Sequence, residues 1–106
     1  MKKSSLPQNT QSFAANYKSV WKAFQELGDQ CHGAGPLDER TRRLIKVGVA
    51  AAAQSEGAVR SAVRQATDAG IPSDEIRHAI ILTLTTVGFP RAMAAMSWAD
   101  DVLKEK

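Results

Sequence analysis

The stretch Leu37-Asp38-Glu39-Arg40-Thr41-Arg42-Arg43-Leu44-Ile45-Lys46-Val47-Gly48-Val49-Ala50-Ala51-Ala52-Ala53 decides how this chain reads. Asp38 stands where a carboxylate can accept from the free backbone N–H groups of a helical first turn, so it marks an N-cap. Lys46 is the last charge in the segment, and the residues after it are apolar on nearly every side. That pattern predicts a central, most buried helix, and Gly48 with the alanines lets neighbouring helices approach closely.

Working outward toward the N-terminus, Gly33-Ala34-Gly35-Pro36 breaks the chain. Before it, Phe13, Tyr17, Val20, Phe24 and Leu27 recur at spacings of three and four, with Trp21 flanking them. This stripe predicts one amphipathic helix from about Gln11. Residues 1–10 are polar, contain Pro7 and read as a flexible arm. Toward the C-terminus a helix is expected from Ser55, its cap, to Ala69, with Val59, Ala62, Val63 and Ala66 facing inward and Gly70 closing it. After Ile71-Pro72 a further helix opens with Ser73 as cap and Asp74 and Glu75 at the positive end of its dipole. Its β-branched second half leaves a strand reading of 80–87 open, although no second strand is evident to pair with it. Gly88-Phe89-Pro90 is the last break, and Pro90 suits the first turn of a closing helix that turns Ala92, Met93, Met96 and Leu103 inward. Met93 and Met96 read as core filler. The fold class expected is all-α, a small domain of about five to six helices over residues 11–106.

Composition agrees. A chain of 106 residues supports one modest core. Aromatics are only 6% and alanine is abundant, which favours closely packed helices over a β-sandwich. The net charge of +3 is interleaved with acidic residues along the chain, its sharpest cluster being Arg40, Arg42, Arg43 and Lys46. A nucleic-acid binder would concentrate charge and add exposed aromatics, so no nucleic acid is expected. Cys31 is alone and cannot form an internal disulfide. No long apolar run comes after the Met1-Lys2-Lys3 start, and none elsewhere reaches membrane-spanning length, so a cytoplasmic protein without a membrane partner is expected.

Four pieces in order resemble one family. Leu37 to Ile45 resembles the Leu-x-x-basic-Thr-basic-Glu-Leu-Ile opening of carboxymuconolactone decarboxylase-like and alkylhydroperoxidase D-like domains. Ser55 to Arg64 resembles their C-x-x-C-x-x-x-H helix, Ala69 to Ile76 their Ala-Gly connection, and Gly88-Phe89-Pro90 with Ala92 their glycine-proline break. The resemblance covers about Leu37 to Ala95. It implies an all-α domain whose protomers pair into dimers, trimers or hexamers. It also implies either dithiol peroxide reduction assisted by a Glu and a His, or cofactor-free decarboxylation of a lactone carrying carboxylates. The family's cysteines fall on Ser55 and Ala58, its histidine on Ala62 and its relay glutamate on Arg43. All four depart from the peroxidase pattern. An unactivated serine hydroxyl ionises far above neutral pH, and Ala58 and Ala62 carry no proton chemistry.

The candidate site therefore rests on other residues. Arg60 and Arg64 share a helix face at a spacing of four. With Arg43 and His78 they are candidates to hold a small anionic ligand such as a carboxylate or phosphate; the alternative is a solvated face paired with Glu56 and Asp68. His78 is also the candidate base of a rewired enzyme, against a structural histidine. His32 reads as a loop-edge residue, and Cys31 as a buried or incidental thiol unless it pairs between chains. Two distant histidines without metal-ligand spacing predict no metal site, and no cofactor is expected. The function expected is a non-peroxidase, ligand- or partner-binding helical oligomer. The alternatives are decarboxylase- or lactone-type chemistry on a carboxylate substrate and, last, thiol peroxidase activity through Cys31.

Overall fold

The computed structural model describes residues 6–104. The five expected helices are all present, and two of them are divided. The chain runs α1 (Gln8–Asn16), α2 (Lys18–His32), α3 (Glu39–Ala52), α4 (Glu56–Asp68), α5 (Ser73–Ile81), α6 (Leu84–Val87) and α7 (Phe89–Lys104). No strand occurs among the described residues, so the strand reading of 80–87 gives way to helix. Helix begins at Gln8, inside the expected arm, whose first five residues lie outside the described residues, as do Glu105 and Lys106. By its internal contacts the chain divides into two compact units, Met1–Pro36 and Leu37–Lys106.

In the first unit, α1 and α2 were expected as one helix. Tyr17 separates them: its φ of −130° and ψ of 61° leave the helical region, although the Tyr17 N–H still donates to the Phe13 carbonyl and the Trp21 N–H to the Tyr17 carbonyl. Phe13 and Tyr17 lie with ring centroids 5.2 Å apart, and Trp21 and Phe24 at 5.7 Å, so the aromatic residues keep to one side through the break. No residue of either helix is buried.

The second unit holds the core. α3 lies against α4, α5 and α7, and α4 also packs on α7. Val47, Val59, Val63, Ile76 and Ile80 are fully buried where these helices meet, with Ala95 and Ala99 of α7. α3 is central, as the sequence suggests, but it is not buried all round. Val47, Ala50 and Ala51 face the core while Ile45 and Val49 stay exposed.

The helix ends follow the local chemistry. Asp38 accepts from the Thr41 N–H at 2.9 Å, and Ser55 Oγ accepts from the Ala58 N–H at 3.3 Å. α4 closes as expected on Gly70, at a φ of +87°, with the Ile71 N–H donating to the Ala66 carbonyl and the Gly70 N–H to Thr67. α3 closes the same way through Gln54, the only described non-glycine residue at positive φ, 57°. Its amide Nε2 donates to the Ala51 carbonyl at 3.0 Å and the Arg91 carbonyl at 2.8 Å, which ties the α3–α4 turn to the start of α7. Ser73 does not cap α5. Pro72 occupies the cap, its carbonyl accepting from Glu75 and Ile76, and Ser73 becomes the first helical residue. α5 and α6 part because the Ile80 carbonyl accepts both the Thr83 N–H and the Thr83 hydroxyl, a local back-bond that tightens the turn.

Candidate functional site

The sequence-derived candidates sit in three places within the second unit. Arg43, on α3, reaches across to α4, where its Nη1 donates to Gln65 Oε1 at 2.5 Å; Gln65 in turn donates to Ser61 Oγ at 3.2 Å. Its Nη2 lies 3.5 Å from Glu39 on its own helix. Arg60, on α4, bridges Glu56 at 3.0 Å and Asp101 of α7 at 2.8 Å. The hydrogen bond from Arg60 to Asp101 holds the guanidinium pKa above its ordinary value. Arg43 and Arg60 therefore work within separate ion-pair groups, each facing carboxylates of the same chain. Arg64 is half-buried on α4.

His78 belongs to a different feature. It lines an open groove of about 670 Å³ between α3 and α5 that extends to α6. The α3 wall is Leu44, Ile45, Gly48, Val49 and Ala52, and the facing wall includes Ala79 and Leu82. At Gly48 a Cβ would make ordinary contact with the Ala79 carbonyl at 3.8 Å, so α3 and α5 run close at this point of the groove. Val49 and Leu82 expose 58% and 66% of their surface, which makes this a patch of accessible hydrocarbon and not part of the core. The polar lining residues are few: His78 and Glu75 on α5, with Thr83 and Thr86 toward α6, and Glu75 is ion-paired with Arg40. The volume falls in the range of small-molecule sites, and a mostly apolar wall with few polar groups is their usual make-up.

The positions matched to the family's redox residues have structural surroundings. Ser55 Oγ serves as the α4 cap, Ala58 is exposed and Ala62 packs at the edge of the core. Cys31 is exposed on α2, which overturns the buried half of the buried-or-incidental reading. Among the described residues no cluster of His, Cys, Asp and Glu has the make-up of a metal site, and no helix is long and apolar enough to cross a membrane.

The groove as a whole is not visible residue by residue in the sequence. Its signal lies in α3, which is apolar on more faces than one core can use. Only His78 carries chemistry conspicuous enough to be singled out.

The fold and these positions define a small all-α domain with an apolar groove on the flank of its core. The chain belongs to the carboxymuconolactone decarboxylase family, whose model matches residues 19–101. No curated protein matches the chain.

Proposed function

We propose that this family member does not reduce peroxides and instead acts by binding, as a helical homo-oligomer that holds a small carboxylate with a hydrocarbon body in the α3–α5 groove. The observation that carries this reading is the state of the family's redox positions. Ser55 is committed to a helix cap, Ala58 and Ala62 offer only methyl groups, and Arg43 is engaged by Gln65 and Glu39. No thiolate can form at those positions, and none can be resolved one turn away. The groove supplies hydrocarbon from Leu44, Val49 and Leu82 and a hydrogen-bond donor from His78. Glu75 does not repel an anion strongly there, because Arg40 is paired with it. The arginines favoured from sequence support an anion less directly, since Arg43 and Arg60 already face Glu39, Glu56 and Asp101.

Two assays test this. Hydroperoxide turnover with dithiol reductants is expected to be absent; turnover that disappears in Cys31→Ser overturns the non-peroxidase reading. In a thermal-shift titration, octanoate is expected to raise the melting temperature of wild type more than phosphate or succinate does. The shift is expected to fall in His78→Ala and in Val49→Glu and to persist in Arg43→Ala. Loss of the shift in Arg43→Ala, with His78→Ala unaffected, returns the site to the arginine cluster. One observation favours an enzymatic alternative, decarboxylase- or lactone-type chemistry: His78 places an imidazole among the groove's lining residues. That reading requires product release from a carboxylated lactone, abolished in His78→Ala.

A further inference from the structure

The first unit presents a surface that the groove does not explain. Phe13, Tyr17, Val20, Phe24, Leu27 and Cys31 follow one another at spacings of 4, 3, 4, 3 and 4 residues. That is a 3.5-residue repeat, narrower than the broad face of a helix lying on a globular core, and it is the spacing of a seam that meets another helix. The five large side chains are all accessible, with Phe24 and Leu27 exposing 61% and 60%. The helix break at Tyr17 does not scatter them. Phe13 contacts Tyr17 at 5.2 Å and Trp21 edge-on at 6.5 Å, so the rings on either side of the break share one side.

The chemistry beside the seam says what it meets. Every charge of α2 (Lys18, Lys22, Glu26 and Asp29) falls on the far side of the heptad wheel. The positions bordering the seam are uncharged, and Ala14, Ala23 and Gly28 among them are small. A helix carrying the same seam can therefore approach without like-charge repulsion and with its backbone close. A membrane surface would call for net positive charge on the polar side, and here two lysines are balanced by two acidic residues.

We infer that α1 and α2 pair with the same segment of a second copy of this chain through the Phe13–Cys31 seam. This names the surface for the homo-oligomer proposed above and rests on that part of the reading. A seam of two to three heptads is short. Five half-exposed side chains of this size bury roughly 500 Å² per copy, below the ~800 Å² per partner of a standard interface, so association is expected at micromolar concentrations and upward.

Sedimentation velocity of the full chain at tens of micromolar, in reductant so that Cys31 cannot cross-link, tests the inference. Wild type is expected to sediment as an oligomer. Phe24→Glu with Leu27→Glu is expected to weaken association by more than about tenfold, whereas Lys22→Ala with Asp29→Ala, on the far side, leaves it unchanged. Should the double glutamate variant fail to fold, Phe24→Ala alone decides: weakening of about tenfold supports the seam and an unchanged constant overturns it. An oligomer that persists unaltered in the seam variants overturns this inference and leaves oligomerisation standing. A wild-type monomer overturns both.

Discussion

The two units of this chain use the same sequence signal to opposite ends. In Leu37–Lys106 the core-facing members of the pattern vanish from solvent: Val47, Val59, Val63, Ile76 and Ile80 are all fully buried, while Ile45, Val49 and Leu82 stay exposed along the groove. In Met1–Pro36 an equally regular stripe, built of larger side chains, leaves no described residue buried. Side-chain size accounts for part of the difference. The second unit packs aliphatics and alanines that allow close helix approach, whereas the first carries rings that its own two helices leave exposed. Periodicity alone thus states that a face seeks cover and not which molecule provides it.

The sharpest way to break this comparison is to truncate one residue from each side of it. Ile80→Ala is expected to destabilise the fold by about 2–5 kcal/mol, because a fully buried branched side chain leaves a cavity. Phe24→Ala, measured at concentrations too dilute for association, should change stability by no more than about 0.5 kcal/mol despite removing a larger group. Urea titrations of both variants give the two numbers; comparable losses would mean that the stripe is packed within its own chain.

Smaller effects are expected at the helix ends that fix the second unit. Ser55→Ala removes the acceptor for the Ala58 N–H and is expected to cost about 1 kcal/mol by the same titration, with Ser55→Asp retaining most of it. The smallest effect concerns pH. Hydrogen bonding from Thr41 holds the Asp38 carboxyl below its ordinary value of 3.8. A folded value below the unfolded one stabilises the protein above the unfolded pKa, and that contribution is lost as the pH falls through the lower, folded value. Asp38→Asn keeps a cap acceptor and does not titrate, so its stability deficit relative to wild type should shrink as the pH drops below about 4. A deficit that stays constant down to about pH 2, or grows, argues against a charged cap.

Much of the second unit was legible because its helix ends are written in side-chain chemistry. Asp38, Ser55 and Gly70 mark boundaries that the structure places within a residue. Three features lacked such marks. The break at Tyr17 carries neither glycine nor proline. Gln54 adopts a left-handed conformation that glycine would ordinarily announce, held there by an amide whose second acceptor, Arg91, lies 37 residues away. Pro72 displaces Ser73 from the cap through its fixed φ and a backbone carbonyl that accepts twice. The site was less legible than the fold. Charge drew the reading to Arg43, Arg60 and Arg64, but charges on neighbouring helices commonly pair with one another, and Glu39, Glu56 and Asp101 do so here. The groove is made of hydrocarbon, which announces burial and accessible surface in the same letters.

The bond from the Ala58 N–H to Ser55 Oγ has a consequence for what each of the two positions tolerates. It joins residues about one helical turn apart, and it does so asymmetrically. Position 55 contributes a side-chain atom to the scaffold, while position 58 contributes only its backbone. Drift at 58 is therefore nearly neutral for folding across residues with good helix propensity, whereas drift at 55 is confined to side chains that can accept at a helix start. A change of side chain at 58 leaves the start of α4 as it is, whereas a change at 55 reaches it directly.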